Sequence, residues 1–523
     1  MGEKVLLRLP AKAKLQGVHI FHLDREILQK PHFSDDTLIL EGLPAGGYGV
    51  MLRTNFGVWE GAFDIVSQDR REIRYGFLSD FSTENIETTD VEWMKNLHIN
   101  TIQFYDWMYR HDQLLPPTKE YEDPLKRQMN VEAVSQKIEA CKKYGIRPFA
   151  YGAVYAATEK TFREHPEWGM YTMDGQAMTF ADWLYFMNIA RESGWSAHIV
   201  NEYKKAIHFG FSGIHMDTYG FPKHVWTRDG RAIELAEEFP QLINRVAQAV
   251  RLEDSNGGVI FNAVNNWPTE TVAEADQDAV YIEVWPPHDT YRDLYQLIRE
   301  ARHSSGKNVV LAAYLNAFKE DDKKAAERSF RFTWAAICAS GGTQLVLGER
   351  HRLLRDSYYA NYAEIDSEFL PVIQHYCDFL VRYKELLYND NGMDIGKTAS
   401  GGINEDIRFF SESCAFSTDA AADAVWTILR ESPERLTIHL INLMGNDSRW
   451  NKAKNEPISA HGISVRIRLD RPIRGIFAAS PDGDMVAAKA LPFSVASTGE
   501  GRIYSVELPD LRYWMAVWAE LEG

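Results

Sequence analysis

The chain has 523 residues, of which 45% are hydrophobic, and its formal net charge is −17. A chain of this length exceeds one ordinary hydrophobic core, so we expect two or three domains. The acidic balance repels phosphate backbones and anionic lipids, which argues against nucleic acid or a membrane surface as a partner. The oligomeric state stays open.

The N-terminal sequence MGEKVLLRLPAKAK has no apolar run of signal-peptide length, and no window of about 20 apolar residues occurs in the chain. The four cysteines are widely spaced and form no CxxC pair. This spacing is typical of reduced core thiols. We therefore expect a cytoplasmic protein.

Residues 1–72 consist of short strand-like runs separated by turns. About five to seven such strands are expected to form a small β-sandwich. The runs TLILEGL and GYGVMLRT flank PAGG at residues 44–47. Proline and glycine in this position are typical of a hairpin, so we predict that the two runs pair.

Residues 73–395 show a different pattern, in which eight apolar runs alternate with helical segments. Strands that are apolar on both faces belong to parallel sheets. Asn130 is the predicted N-cap of one helix, which stops at Gly145, and Gly306 follows the end of another. Eight strand–helix units predict a (β/α)8 TIM barrel. The runs are 74–80, 102–107, 147–152, 213–219, 259–264, 279–285, 309–315 and 343–349.

Residues 396–523 lack helical patterns and contain six strand-like runs with turns between them. This organisation predicts an antiparallel β-domain. The runs are EDIRFFSES, AVWTILRES, LTIHLINLM, SVRIRLD, RGIFAAS and YWMAVWAELE.

The carboxyl ends of the eight predicted barrel strands are where barrel enzymes carry their sites. Acidic, amide and aromatic side chains occur at these ends. Carboxylates and amides bind hydroxyl groups and aromatic faces stack on sugar rings, so a neutral polyol ligand is expected. A phosphorylated ligand is disfavoured, because no glycine-rich cradle occurs there. The strand ends include Tyr105, Asp106, Trp107, Tyr151, Tyr155, Asp217, Tyr219, Asn262, Asn265, Glu283, Trp285, Tyr314 and Glu349.

Asp217 ends the fourth predicted strand and Glu283 ends the sixth, so their carboxyl groups can face each other across the barrel mouth. Glycoside hydrolysis needs such a pair, one group to attack or assist water and the other to protonate the leaving oxygen. Either acid alone is equally typical of a helix N-cap or a salt bridge. Asp106 is open to interpretation as a ligand or a loop anchor.

Two other kinds of site are conceivable at this position. His215 and Asp217 lie two residues apart on one strand and could bind a metal together. The other strand ends offer no histidine, and His215 is also compatible with a buried core histidine. A Ser-His-Asp hydrolase is poorly supported, since no GxSxG motif occurs.

Four motifs in order along the predicted barrel resemble glycoside hydrolase family 66, which contains dextranases and cycloisomaltooligosaccharide glucanotransferases. They are QFYDWMYRHD at 103–112, GIHMDTYG at 213–220, YIEVW at 281–285, and ASGGTQLVLGE at 339–349 followed by SYYAN at 357–361. The resemblance implies an immunoglobulin-like β-sandwich over 1–72, the catalytic barrel over 73–395 and a Greek-key β-domain over 396–523.

The resemblance also implies a chemistry, retaining cleavage or transfer at α-1,6-glucosidic bonds. Asp217 would be the nucleophile and Glu283 the acid/base, acting on dextran, isomaltooligosaccharides or cycloisomaltooligosaccharides. No metal or organic cofactor is expected, with a structural calcium ion as an open alternative. The candidate substrate-binding residues are Tyr105, Asp106, Trp107, Tyr155, Tyr219, Asn265, Trp285 and Glu349.

Two residues depart from the pattern of the family. The strand-8 motif there usually reads closer to GGTHLELGE, whereas this chain has Gln344 and Val346 in place of its His and inner Glu. The departures keep two alternatives open, a retaining enzyme for another α-glycoside and a sugar-binding protein without catalysis. The missing signal peptide and the lack of an inserted binding module favour short or cyclic isomaltooligosaccharides over dextran polymer.

Overall fold

A computed structural model describes residues 4–9, 12–27, 32–34, 37–66, 72–483, 487–499 and 501–522. It shows a multidomain, mostly-β protein whose largest element is a curled sheet of eleven strands. Smaller sheets precede and follow this sheet along the chain. Within the described ranges, the helices are too short or too polar to cross a bilayer.

The curled sheet contains all eight apolar runs that the sequence analysis picked out. Eight parallel segments follow one another in chain order, and each pairs with its neighbours in that order. The first to eighth central strands are Tyr75–Leu78, Thr101–Phe104, Arg147–Ala153, Gly213–Asp217, Gly258–Val264, Ala279–Glu283, Val309–Ala312 and the interrupted pair Thr343–Gln344 and Leu347–Gly348.

The eighth central strand returns the sheet to its starting point. Thr343–Gln344 pairs with the seventh strand, and Gly348 pairs with Phe77 of the first strand. Two antiparallel strands, Arg352–Leu354 and Tyr362–Glu364, extend the sheet from this junction. The curling brings the carboxyl ends of the parallel strands together around one opening.

Helices occupy most of the connections between the central strands. The helix predicted after Asn130 is confirmed, and the Asn130 side chain accepts a hydrogen bond from the backbone N–H of Glu132. The other predicted helix, Tyr291–Ser305, is followed by Gly306, whose φ of +65° suits glycine. The helices are Thr89–Asn96, Val131–Lys143, Glu159–Glu164, Gly194–Phe209, Leu235–Glu253, Thr269–Val272, Tyr291–Ser305, Lys323–Ala339, Leu370–Arg382 and Gly396–Ala399.

Small β-ribbons and 3-10 turns fill the loops. The ribbons follow the second, third and fourth central strands and so build the rim of the opening. Their strands are Glu120–Glu122, Gln128–Asn130, Ala156–Thr158, Thr179–Phe180, Leu184–Phe186, His224–Trp226 and Ala232–Glu234. The 3-10 turns are Thr83–Asn85, Pro166–Trp168, Asn316–Lys319, Glu349–His351 and Lys384–Leu386.

The N-terminal residues form two sheets that share one hydrophobic cluster, which includes Leu38 and Val50. One sheet has three strands, Val5–Arg8, His32–Ser34 and Thr37–Leu40. The other has four, Leu15–His22, Arg25–Glu26, Gly46–Thr54 and Gly57–Ile65. The immunoglobulin-like assignment and the boundary after residue 72 stay predictions.

The predicted hairpin around PAGG is wrong. Thr37–Leu40 pairs with strands of the three-stranded sheet, whereas Gly46–Thr54 pairs within the four-stranded sheet. The glycines serve close packing instead of a hairpin turn. A Cβ atom at Gly47 would overlap the carbonyl oxygen of Val381, and one at Gly49 would overlap the Arg382 guanidinium.

The C-terminal residues form a seven-stranded and a four-stranded sheet, and all six predicted runs contain a strand. Apart from the parallel strand Phe416–Ser417, the pairings are antiparallel. The Greek-key assignment and the boundary after residue 395 stay predictions. The remaining strands are Met393–Asp394, Ile407–Phe410, Val425–Glu431, Arg435–Asn442, Ser464–Leu469, Ile473–Ala479, Lys489–Leu491, Phe493–Thr498, Gly501–Glu507 and Trp514–Leu521.

The last strand, Trp514–Leu521, explains how the C-terminal sheets attach to the helices of the central sheet. Its side chains alternate between two faces. Trp514 and Trp518 pack against Phe379 and Tyr383, with ring centroids 4.8 and 5.6 Å apart. The intervening side chains fill the separate core of the C-terminal sheets. Both faces of this strand are therefore buried.

A buried ion-pair network joins the N-terminal strand Gly57–Ile65 to the central part of the chain. Arg74 pairs with Asp64 at 2.9 Å, and Lys384 pairs with Glu72 at 2.9 Å and Asp64 at 3.3 Å. Burial alone would raise the pKa of Asp64, but the Arg74 and Lys384 cations outweigh burial and lower it to about 2. The Asp64 carboxyl group is therefore ionised at neutral pH.

Replacing Lys384 by methionine should leave two buried carboxylates without their shared cation. Removing one partner of a buried pair costs about 3–5 kcal/mol, so the unfolding temperature should fall markedly. Lys204→Met is the matched control, because Lys204 pairs with Glu253 at the surface, where a pair contributes about 0–1 kcal/mol. Equal unfolding temperatures for the two variants in calorimetry would contradict this account.

Candidate active site

A cavity of about 520 Å³ opens at the carboxyl ends of the central strands. Its walls combine carboxyl, amide and aromatic side chains, as the strand-end residues predicted. The cavity is lined by, among others, Gln103, Tyr105, Asp106, His111, Tyr151, Phe180, Trp183, His215, Asp217, Tyr219, Asn262, Tyr281, Glu283, Trp285, Tyr314, Tyr358 and Tyr359.

One amide group links the two central carboxyl groups of this cavity. Asp217 ends the fourth strand, Glu283 ends the sixth, and Asn262 lies on the fifth strand between them. Asn262 Nδ2 donates hydrogen bonds to Asp217 Oδ1 at 2.7 Å and to Glu283 Oε2 at 3.1 Å. These two carboxyl oxygens therefore lie at most about 5.8 Å apart.

Tyrosine hydroxyl groups bind the other oxygen of each carboxyl group. Tyr151 on the third strand donates to Asp217 Oδ2 at 2.7 Å, and Tyr314 after the seventh strand donates to Glu283 Oε1 at 2.7 Å. Four neighbouring strands and the segment after the seventh thus orient the pair. All three donor groups are uncharged, so they position the carboxyl groups without neutralising them.

Burial sets the electrostatics of the pair. It raises the pKa of Asp217, and the negative charge of Glu283 raises it further, to about 7, against the hydrogen bonds from Asn262 and Tyr151. Burial also raises the pKa of Glu283, against the hydrogen bonds from Tyr314 and Asn262. Two interacting acids release their protons in two steps that belong to the pair. The second proton leaves near pH 7, so the pair retains one proton below that pH.

His215 lies beneath the pair as a buried residue. Its Nδ1 lies 3.0 Å from the Tyr75 hydroxyl oxygen, and burial lowers the pKa of its imidazole to about 3. The ring is therefore neutral at physiological pH. Among the described residues, no three or more His, Cys, Asp or Glu side chains are grouped so that they could hold a metal ion.

Six predicted site residues line the cavity: Tyr105, Asp106, Asp217, Tyr219, Glu283 and Trp285. Tyr105 stacks on Tyr359 with ring centroids 4.3 Å apart, and Tyr219 stacks on Phe180 at 4.5 Å. These pairs form flat aromatic walls on two sides of the cavity.

Asp106 brings a third carboxyl group into the cavity. Its backbone has a φ of +49°, and its side chain is buried. Burial raises the pKa of Asp106 to about 7, although the Arg127 cation opposes this shift. A non-glycine residue with a positive φ has a strained backbone, and strained residues of this kind cluster at functional sites.

Three predicted site residues are buried outside the cavity lining. Trp107 is fully buried and its Nε1 donates to the Tyr151 carbonyl oxygen at 3.1 Å. Tyr155 is also buried, and its hydroxyl accepts a hydrogen bond from the Tyr219 backbone N–H at 2.6 Å. Glu349 is buried at the sheet junction. Trp107 and Tyr155 thus hold the backbone of the wall residues Tyr151 and Tyr219 in place.

The Glu349 carboxyl group joins the eighth central strand to the end of the first. It accepts hydrogen bonds from Ser79 Oγ at 2.9 Å and from the Asp80 backbone N–H at 3.3 Å. Burial raises its pKa. The tenth predicted residue, Asn265, lines a neighbouring basin that adjoins the cavity.

The two departures from the family motif lie in the core. Gln344 is buried, and its Nε2 donates to the Ala313 carbonyl oxygen at 2.7 Å. Val346 is fully buried. Their effect on a bound ligand would therefore pass through the packing of the seventh and eighth strands.

Sequence reasoning placed Tyr151, Asn262 and Tyr314 at strand ends but did not select them as site residues. They matter because the third strand, the fifth strand and the segment after the seventh place hydrogen-bond donors on both sides of the carboxyl pair. Phe180, Trp183 and Tyr358 reach the cavity from long loops, where the sequence has no periodic signal. Of the 14 tryptophans, Trp183 and Trp285 line the cavity.

The sequence model of glycosyl hydrolase family 66 matches residues 54–518, so the chain belongs to this family. A cycloisomaltooligosaccharide glucanotransferase from Niallia circulans is 24% identical, over 87% of this chain and 63% of its own length. A dextranase from Streptococcus salivarius is 21% identical, over 76% of this chain and 56% of its own length. The chain thus spans less than two thirds of these relatives.

The fold is similar to that of a solved family structure. A cycloisomaltooligosaccharide glucanotransferase from Paenibacillus sp., complexed with cycloisomaltoheptaose, superposes with a TM-score of 0.87 at 21% identity. The match covers 99% of this chain and 97% of that one. A maltogenic α-amylase from Thermotoga neapolitana superposes with a TM-score of 0.52 at 13% identity, over 85% of this chain and 98% of that one.

Replacing Tyr151 by phenylalanine should raise the pKa of Asp217. The variant loses one hydrogen bond to the carboxylate, and such bonds contribute about 1.5–3 kcal/mol, which is roughly one to two pKa units. Infrared titration of the carboxyl groups measures the shift. Tyr203→Phe is the control, because the buried Tyr203 hydroxyl donates to the Gly152 carbonyl oxygen instead. The same titration curve in both variants would contradict the assigned contact.

Proposed function

We propose that the chain is a retaining glycoside hydrolase that cleaves α-1,6-glucosidic linkages of dextran, isomaltooligosaccharides or cycloisomaltooligosaccharides. The observation that carries the proposal is the pair Asp217 and Glu283, with facing oxygens at most about 5.8 Å apart. Retaining enzymes place their carboxyl groups about 5–5.5 Å apart, and inverting enzymes about 6.5–9.5 Å. The bridging amide therefore supports the retaining arrangement.

Family membership supports the class of substrate. The relatives named above are a dextranase and cycloisomaltooligosaccharide glucanotransferases. The aromatic walls and carboxyl groups of the cavity suit a neutral sugar. In this proposal the curled sheet with its helices is a (β/α)8 barrel, flanked by an immunoglobulin-like and a Greek-key domain.

The proposed mechanism assigns one role to each carboxyl group. Asp217 attacks the anomeric carbon of the bound glucosyl unit and forms a β-glucosyl ester, while Glu283 gives its proton to the departing O6. The Glu283 carboxylate then takes a proton from water or a sugar hydroxyl. That oxygen attacks the anomeric carbon and releases Asp217. Tyr105 and Asp106 hold the sugar beside the nucleophile.

The chemistry requires one proton on the pair, on Glu283. The raised pKa values retain one proton on the pair at a pH where isolated carboxylic acids are ionised, and the reactive form is the one in which this proton lies on Glu283. We also propose that no metal or organic cofactor takes part, since an acid and a nucleophile suffice for this reaction. Full activity in the presence of EDTA is the corresponding expectation.

Asp217→Ala and Glu283→Gln should each lower kcat on isomaltooligosaccharides by roughly three orders of magnitude or more. The substrate isomaltosyl fluoride distinguishes the nucleophile from the acid/base, because its fluoride leaves without being protonated by an acid. Glu283→Gln should still release one equivalent of fluoride as the glycosyl-enzyme forms, and Asp217→Ala should not.

The controls for these variants are Asp174→Ala and Glu364→Gln, which change exposed acids outside the cavity. Product chromatography on dextran and on linear and cyclic isomaltooligosaccharides identifies the substrate. Retention of more than a few per cent of the activity by Asp217→Ala would contradict its role. Binding of these sugars without turnover by the wild type would indicate a sugar-binding protein.

The pH dependence of kcat/KM should be bell-shaped. Activity should rise as the pair loses its first proton and fall as it loses the second, near pH 7, because Asp217 beside a charged Glu283 has a pKa of about 7. In Glu283→Gln, Asp217 is the one group of the pair that still titrates. Its fluoride release from isomaltosyl fluoride should rise with pH and then stay constant. A falling limb in this variant would show that another group supplies the proton.

A further inference from the structure

The guanidinium group of Arg127 joins the ends of the first and second central strands. Its Nη1 donates to the Ser79 carbonyl oxygen at 2.8 Å, and its Nη2 donates to the Asp106 carbonyl oxygen at 3.3 Å. Ser79 directly follows the first strand, and Asp106 lies two residues beyond the second. One planar cation thus bonds both strand ends beside the cavity.

Asp123 fixes the guanidinium group in this place. Its Oδ2 accepts a hydrogen bond from Arg127 Nε at 2.7 Å, and its Oδ1 accepts from the backbone N–H groups of Leu125 and Arg127 at 2.9 and 2.7 Å. The Asp123 side chain is fully buried, whereas 21% of the Arg127 side chain is exposed. The turn 123–127 is therefore closed by its own acid and presents the arginine to the strand ends.

The contact with Asp106 falls where the backbone is strained. Asp106 has a φ of +49°, a left-handed conformation that non-glycine residues adopt only rarely. Such a conformation persists only where surrounding contacts hold it. The hydrogen bond from Arg127 is one such contact, because it fixes the peptide group that follows the strained residue.

The same guanidinium group acts on the Asp106 carboxyl group through its charge. Burial raises the pKa of Asp106 to about 7; the Arg127 cation opposes this shift, and the Asp123 carboxylate adds to it. An opposite charge nearby favours the ionised form of an acid, and a like charge disfavours it. The other titratable groups that surround Asp106 are Tyr105, Tyr151, Asp217, Tyr219 and Tyr358.

We propose that Arg127 is a positioning residue of the reaction, which holds the strained backbone of Asp106 and supplies the positive charge that lets its carboxyl group ionise. The inference rests on the function proposed above, in which Asp106 holds the sugar. An ionised carboxyl group accepts hydrogen bonds with both oxygens, so it binds two neighbouring sugar hydroxyl groups. Arg127 does not line the cavity, and it therefore acts through Asp106.

Titration of Asp106 by NMR tests the electrostatic part of this inference. The protein is labelled with ¹³C at the aspartate Cγ atoms, and the Asp106 signal is the one that Asp106→Asn lacks. Arg127→Gln should raise the pKa of Asp106 by about one to three units, because a nearby cation is lost. Asp123→Asn should lower this pKa, because a like charge is lost. A merely structural role would not produce shifts of opposite sign.

A double variant covers the case in which Arg127→Gln fails to fold because it leaves the buried Asp123 carboxylate without a cation. Combining Arg127→Gln with Asp123→Asn removes both charges together. The pKa of Asp106 should still rise, since the Arg127 cation has a larger effect on it than the Asp123 carboxylate.

Arg127→Lys separates the charge from the hydrogen bonds. A lysine keeps the positive charge but lacks the planar fork that reaches two carbonyl oxygens and Asp123 together. The pKa of Asp106 should therefore stay close to the wild-type value. In contrast, kcat/KM on isomaltotriose should fall roughly ten- to hundredfold, because Asp106 loses its position beside the nucleophile.

Arg163→Gln is the matched control. Arg163 also pairs with an acid four residues before it, Glu159, but this pair is exposed and lies outside the cavity. The variant should keep both the wild-type titration of Asp106 and the wild-type kcat/KM.

The outcomes distinguish this inference from the proposed function, because the titration needs no turnover. An unchanged pKa of Asp106 in both Arg127→Gln and the double variant would overturn the inference, and so would full activity of Arg127→Lys. A wild type that cleaves no isomaltooligosaccharide would overturn the proposed function, and with it the part of Arg127 in the reaction, whatever the titration shows.

Discussion

The bridging amide of Asn262 is the contact on which the site depends. A single nitrogen that donates to both Asp217 and Glu283 limits how far apart the two carboxyl groups can lie. Tyr151 and Tyr314 bind the outer oxygens and limit their rotation. The hydrogen bonds from these neutral donors lower the pKa values of the two acids, but burial raises them more. The donors thus set the geometry of the pair, and burial sets its protonation.

The surrounding scaffold keeps these donors in place. The three strands that carry Asp217, Asn262 and Glu283 are adjacent in the curled sheet, and their backbone hydrogen bonds set the spacing of the side chains. Trp107 and Tyr155 bind backbone groups of the wall behind the cavity. These contacts hold the backbone behind a cavity that three carboxyl groups face, those of Asp106, Asp217 and Glu283.

The active-site cavity and the neighbouring basin lie above the same sheet, and different loops form their walls. The loop after the third strand contributes aromatic rings to the main cavity, whereas the loops after the fourth and fifth strands build the basin beside Glu283. Trp285 belongs to both spaces. Under the proposed function, a glucan bound across them would place one sugar over Asp217 and the next beside Glu283, which is the arrangement that cleavage of a glycosidic bond needs.

Local sequence patterns were enough to predict the elements that have local causes. The eight doubly buried strands, the helix ends at Asn130 and Gly306, and the acids at two strand ends all follow from neighbouring residues. Only the tertiary structure decided that Gly47 packs against the distant Val381, that Trp107 is buried while Trp285 is exposed, and that Asn262 joins the two acids. Those outcomes depend on groups far apart in the chain, and no local pattern encodes which of them meet.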